Sequence, residues 1–284
     1  MNSLCDFVSL AEKAMEVSNL IACLYPYDYM TLRHAHRVIR NNPQYYIPPK
    51  KTRKRGRRSQ DNEEQDPECV PGLQLTFNNI PKSPQEFVLG CSQKESDIVL
   101  PNHPTEQISR SHCRLTLDSQ KRLILRDQSQ YGTVVTYNDQ GERRQNFTWL
   151  LSGREPDEVE KIVIIFHKYL KFRIIVSNQC EMCLDPTSDN LPAINKLSFK
   201  TAKQTQRDPS KALTPNQNSV FIKSERLGSG NYGVVYRVWD ASTGIVYAAK
   251  EPKEEGLRFW EAEKDILERI SHVSWKICLL SRIC

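Results

Sequence analysis

The sequence predicts a multidomain, mainly β chain: an all-β sandwich over residues 71–178, then a smaller β-sheet with one helix over 218–272. Three observations predict it. Short apolar or alternating runs recur across 71–178 at the roughly 8–12-residue spacing of antiparallel β-domains. A separate cluster of β-prone runs begins at Ser219 and leads into a helical pattern near 256–271. Two polar stretches, 43–70 and 179–217, divide these regions. A length of 284 residues accommodates about two domains of ~100–200 residues.

Residues 1–42 read as a helical N-terminal segment. Leu4, Phe7, Val8, Ala11, Ala14, Met15, Ile21 and Leu24 follow a helical stripe, and Leu32 to Ile39 make a second helix, ended by Pro43, Pro48 and Pro49. Residues 43–70 read as a disordered linker of polar and charged residues. Within it, 50–58 are KKTRKRGRR, seven basic residues in nine, and 61–66 then turn acidic. The sandwich strands are LQLTF from 73, FVLG from 87, DIVL from 97, HCRLTL from 112, RLILR from 122, GTVVTY from 132, FTWLL from 147, KIVIIF from 161 and KFRIIV from 171. Residues 179–217, rich in Ser, Thr, Asn, Gln and Pro, read as a second disordered linker.

The chain is 38% hydrophobic and 26% charged, with a mean hydropathy of −0.59 and a net charge of +6. No stretch approaches the ~18–20 apolar residues of a membrane helix. The run Leu4 to Leu24 is broken by Asp6, Glu12, Lys13 and Glu16 and lacks the basic start and apolar centre of a secretion signal. We therefore expect no membrane contact and no secretion. The nine scattered cysteines then point to reduced thiols in the nucleus or cytoplasm, not to a disulfide framework.

Residues 227–235 read LGSGNYGVV, so Gly228, Gly230 and Gly233 form a GxGxxG loop. Glycine lets a backbone approach phosphate oxygens where a Cβ would collide. In a dinucleotide fold such a loop opens a helix, but here the β-prone VVYRVW follows, which makes the loop a hairpin. Val235 stands where a side chain could cover an adenine. Thr243-Gly244 is a turn, and IVYAAK is a strand ending at Lys250, seventeen residues after Gly233. In the next helix Trp260, Ile266, Leu267 and Ile270 fall on the face of Glu263. A carboxylate on an apolar face needs a partner to offset its desolvation, and Lys250 is the obvious one. The plain alternatives are a glycine turn, a solvated lysine and a glutamate at the stripe's edge.

These three features together resemble the N-terminal lobe of a Ser/Thr protein kinase. The resemblance implies ATP binding by Leu227, Gly228, Ser229, Gly230, Gly233, Val235, Lys250 and Glu263. It covers about 65 residues against the roughly 250 of a kinase domain, so the lobe reads as truncated. No HRD catalytic loop and no DFG metal ligand occur in the sequence. We therefore expect no catalytic and no metal-binding residue in this chain, no phosphate transfer by it, and magnesium only with a C-terminal lobe supplied. Beyond His272 the kinase pattern stops, and 273–284 read as an atypical tail whose junction at Val273-Ser274 suggests a gene-model break.

The strand-rich region resembles a forkhead-associated (FHA) domain, a β-sandwich that reads phosphothreonine. The residues that carry the likeness are LG at 89–90, SDIVL at 96–100, ISRSHC at 108–113 and DQSQYGT at 127–133. The resemblance implies that Ser109 and Arg110 bind the phosphate, that His112 braces their loop, and that Gln130 and Tyr131 border the peptide. A hydroxyl beside a guanidinium suits a phosphate dianion, because charge-assisted hydrogen bonds are about twice as strong as neutral ones. Two positions depart from the family pattern. Cys91 stands where the family usually has an arginine, with Lys94 as the candidate substitute, and Tyr131 stands where it usually has an asparagine.

An FHA domain ahead of a kinase lobe resembles the DNA-damage-checkpoint Ser/Thr kinases of fungi. That resemblance implies a phosphothreonine-containing partner, ATP, and possible self-association. The rival reading is a catalytically inactive adaptor that only binds phosphopeptides. The basic run at 50–58 suits a nuclear localisation signal. Nucleic-acid binding is disfavoured, because the run has no interleaved aromatics. Cys180 and Cys183 form a lone CxxC, and His34 and His36 sit two apart on a helix, so neither pair makes a metal site. The Ser-Gln and Thr-Gln pairs at Ser59, Ser92, Ser119, Ser129 and Thr205 carry little weight.

Overall fold

The structure, a computed structural model, describes residues 19–28, 32–50, 69–83, 85–102, 107–153, 159–177 and 219–253, and the backbone of 277–279. The chain divides into two units, one of residues 1–153 and 160–202, the other of 154–159 and 203–284.

The first unit begins with a strand where a helix was expected. Strand β1 (Leu20–Pro26) pairs antiparallel with β3 (Gly72–Thr76) and β12 (Leu170–Val176). The helical reading of 1–42 is therefore corrected over this run. The reason is burial on both faces: every residue of β1 after Leu20 is buried. A strand enclosed on both sides shows no alternation, so its short apolar run looks the same as a piece of helix. Its outer cover is helix α1 (Leu32–Asn41), which packs on β1 and β12 through Ala35, Val38 and Ile39. These lie three and four apart, on one face. The start of the supposed linker is also ordered. A 3₁₀ turn (Pro43–Tyr45) leads into β2 (Tyr46–Ile47), which pairs with β3. The rest of that linker, 51–68, and the second linker fall outside the described residues.

The remaining strands are β4 (Glu86–Gly90), β5 (Ile98–Val99), β6 (Cys113–Leu117), β7 (Leu123–Asp127), β8 (Thr133–Tyr137), β9 (Arg143–Arg144), β10 (Thr148–Leu150) and β11 (Ile162–His167). Two sheets result, in the orders β2-β3-β1-β12-β11-β8-β9 and β10-β7-β6-β4-β5. Val135, Tyr137, Ile164 and Phe172 on the first sheet face Leu89, Leu115, Leu125 and Trp149 on the second. Tyr137 and Trp149 meet across the core at 6.5 Å, and the Tyr137 hydroxyl donates to Leu150 O at 2.8 Å. The sandwich architecture is the one the alternating runs predict.

Edge strand β5 is closed by a side chain. Asn42, fully buried at the end of α1, accepts the Val99 N–H on Oδ1 at 2.8 Å and donates Nδ2 to Val99 O at 3.0 Å and Val38 O at 2.7 Å. Its amide stands in for a neighbouring strand at an otherwise open edge. Asn42→Ala leaves a buried N–H and C=O unpaired, at about 1–3 kcal/mol each. We expect it to lower unfolding free energy by about 2–4 kcal/mol in a denaturant titration.

The second unit is a sheet in the order β13-β14-β15-β16. Its strands are β13 (Phe221–Ser229), β14 (Gly233–Asp240), β15 (Val246–Pro252) and β16 (Ile277–Leu279). The first three form an antiparallel meander, and β16 joins β15 in parallel. The last strand falls within the stretch expected to be an atypical tail. Val238, Tyr247 and Ala249 form a small core on one face, with Phe221, Tyr236 and Ile245 packed against it. Asp240 closes the 240–245 turn: its carboxylate accepts from Ser242 N and Oγ at 2.8 Å, and its carbonyl accepts the Gly244 N–H at 2.8 Å.

Candidate functional site

At one end of the sandwich three loops are joined by hydrogen bonds. The first follows β4, the second precedes β6, and the third joins β7 to β8. Cys91 N donates to Ser109 O at 3.1 Å, Ser92 N to Arg110 O at 3.1 Å, and Ser96 Oγ to Arg110 O at 3.0 Å. The Cys91 thiol donates to Ile108 O at 3.4 Å. Gly90 is where these loops come closest: a Cβ there would lie 2.1 Å from Arg110 O. Only glycine fits, which is the physical content of the Leu89-Gly90 motif. Asp97, buried, accepts Val88 N at 2.8 Å and Lys82 N at 2.7 Å, so the SDIVL motif anchors the same loop.

The second loop presents Ser109 and Arg110. Gln130 N donates to Ser109 Oγ at 3.0 Å, which brings the second and third loops together. Ser109 is half-buried, whereas Arg110, Gln130 and Tyr131 are exposed. Beneath them, fully buried His112 accepts the Ser109 N–H on Nδ1 at 3.2 Å. The ring proton therefore sits on Nε2, which is buried with no partner among the described residues. Burial pushes the His112 pKa down to about 4; Asp127 opposes that shift, while Arg143 and His167 add to it. His112 is thus a neutral brace.

The third loop is built on Asp127. Its buried carboxylate accepts Ser129 Oγ at 2.8 Å, Thr133 Oγ1 at 2.6 Å and Asn146 N at 2.9 Å. Ser129 Oγ in turn accepts Gly132 N at 2.7 Å, and Gly132 takes φ +77°, a left-handed turn that glycine allows. Ser129 is therefore spent inside the fold.

A family model described as the FHA domain matches residues 87–154. The chain carries an FHA domain. The FHA domain's β-sandwich takes in residues on both sides of that match, from β1 to β12. Among solved structures, the chain is similar to Rad53 1-466 in complex with AMP-PNP, at 21% identity, 68% of this chain, 42% of that chain and a TM-score of 0.35. It is also similar to the N-terminal FHA domain of S. cerevisiae Rad53p in complex with a phosphothreonine peptide, at 20% identity, 40% of this chain, 91% of that chain and a TM-score of 0.30. A third is an engineered FHA with Myc-pTBD peptide, at 15% identity, 59% of this chain, 99% of that chain and a TM-score of 0.33. The chain spans less than half of the Rad53 1-466 chain. No curated protein matches it.

Three further residues of the FHA domain support these loops. Gln128 Nε2 donates to Ser111 Oγ, and Gln145 Nε2 to Gln130 O. Arg143 NH1 donates to Gly132 O at 2.6 Å and Tyr131 O at 3.2 Å. None belongs to a motif readable along the chain, because each acts across a loop or hairpin. Lys94, the candidate substitute for the missing arginine, is exposed.

In the second unit the sheet register places Val235 directly opposite Lys250, hence on one face. Ala248, two residues before Lys250, shares that face; the strand period could have singled it out. Leu227 is exposed on β13, with Gly228 and Ser229 ending that strand. Gly230 N donates to Gly233 O at 2.9 Å, closing the turn. A Cβ added at Gly228 or Gly230 would meet nothing within 4 Å, so their backbone is open to a ligand. At Gly233 it would lie 2.7 Å from Glu251 O, so that glycine serves the sheet. Lys253 straps the tip: its Nζ donates to Gly230 O at 2.8 Å and its N–H to Tyr232 O at 3.0 Å. Glu263 lies outside the described residues, as do Cys180 and Cys183. Among the described residues no cluster of three or more His, Cys, Asp or Glu could hold a metal ion.

Proposed function

We propose that the chain is the front part of an FHA-containing Ser/Thr protein kinase, in which the FHA domain docks a phosphothreonine protein and the second unit binds ATP. The observation that carries the docking role is the meeting of Gln130 N with Ser109 Oγ, with Arg110 exposed beside it. Ser109 keeps its hydroxyl proton to donate, and Arg110 makes no ion pair among the described residues. A hydroxyl and a guanidinium on one rim suit a phosphate monoester. Checkpoint or related signalling in the nucleus or cytoplasm, and self-association through the phosphorylated partner site, belong to the same proposal.

The nucleotide role rests on open glycines facing a strand lysine. Gly228 and Gly230 leave room for phosphate oxygens, Lys250 supplies a cation, and Leu227, Val235 and Ala248 offer apolar surface to a purine. ATP would bring the transferable phosphoryl group; these residues hold and orient it. In the full chain, Ser109→Ala with Arg110→Ala is expected to weaken a fluorescent phosphothreonine peptide at least ~30-fold, about 2 kcal/mol. Nucleotide affinity should be unchanged. Lys250→Ala should do the reverse. Wild-type affinity for the peptide in the double variant would refute the docking site.

A further inference from the structure

Arg143 is held at the rim of the recognition loop and only partly used. Its NH1 donates to Gly132 O and Tyr131 O, which fixes the plane of the guanidinium. Its Nε and NH2 have no partner among the described residues. The carboxylate next to it in sequence, Glu142, is paired with Arg144 instead. Nε and NH2 form the edge of a guanidinium that takes a carboxylate in two parallel hydrogen bonds. The arginine is thus pre-oriented, charged, exposed and without an anion.

Its place relative to Ser109 decides what it takes. Gln130 touches Ser109 Oγ, but Arg143 grips the next two residues, Tyr131 and Gly132. It therefore stands to the side of the phosphate position, where a residue flanking the phosphothreonine would lie. We propose that Arg143 binds the carboxylate of an Asp or Glu flanking the phosphothreonine, so that the FHA domain selects acidic phosphopeptides. This rests on the phosphothreonine reading and adds a specificity residue to it.

The test uses the full chain and four peptides: a neutral alanine-based phosphothreonine peptide, versions with aspartates on its N-terminal or its C-terminal flank, and the neutral peptide without phosphate. One acidic version is expected to bind at least about fivefold tighter than the neutral phosphopeptide. Arg143→Gln should bring that ratio to one, and Arg143→Lys should keep part of it. Equal binding of acidic and neutral phosphopeptides by the wild type overturns the inference. So does an Arg143→Gln variant that weakens both alike, since a purely structural role does that. A neutral phosphopeptide that binds no better than its unphosphorylated form sinks the underlying docking role, and the selectivity with it.

Discussion

Asp127→Ala is expected to cost about 3–5 kcal/mol of folding stability and to abolish peptide binding. The carboxylate accepts two hydroxyls and the Asn146 N–H in a site that water does not reach. Alanine leaves all three donors facing a void. The hydroxyls of Ser129 and Thr133 can turn elsewhere, but the Asn146 N–H cannot. Ser129 also receives Gly132 N, so the turn presenting Gln130 and Tyr131 loosens with it. Asp127→Asn keeps the shape and should lose less, because its amide oxygen still serves part of the set. Urea unfolding of the three proteins gives the ranking. An alanine variant within about 1 kcal/mol of wild type would contradict this account of the loop.

Acid should destabilise the FHA domain through its histidines. The His112 pKa lies near 4 in the fold, against 6.5 for the free side chain, chiefly because of burial. His167 is also lowered to about 4 by burial, with His34 and Arg143 adding to it. A group with a lowered native pKa contributes its full stability above the unfolded pKa. As pH falls from 6.5 toward 4, the unfolded chain takes up the proton and the native one does not, so stability is lost across that window. At pH 5 the loss from His112 alone is about 2 kcal/mol. Protonation of Nδ1 also removes the acceptor for Ser109 N–H, so peptide affinity should fall in the same range. Denaturant titrations at pH 7.5 and pH 5 measure the first effect; equal stability at both would exclude it.

The strands of the sandwich were legible because most have one face in the core and one nearer water. β1 was not, since α1 covers the side that would otherwise alternate. Two-residue strands such as β2 and β9 are too short to carry a pattern. The phosphate loop was legible through its glycine, serine and histidine, each required by a close approach or a hydrogen bond. Arg143, Gln145 and Asn42 were not, because their side chains bind backbone that is remote in sequence and so leave no local signature. In the second unit Gly228, Gly230 and Lys250 were readable from spacing. Ala248 was overlooked although strand parity places it beside Lys250.

The central claim is that the loop end of the FHA domain recognises a phosphate on threonine. Calorimetric titration of the full chain with one peptide in phosphothreonine and threonine forms tests it most directly. The geometry of Ser109, Arg110 and Gln130 predicts at least about a hundredfold tighter binding of the phosphorylated form, close to 3 kcal/mol. Equal affinity for the two forms would contradict it and leave the domain as a surface for unmodified partners.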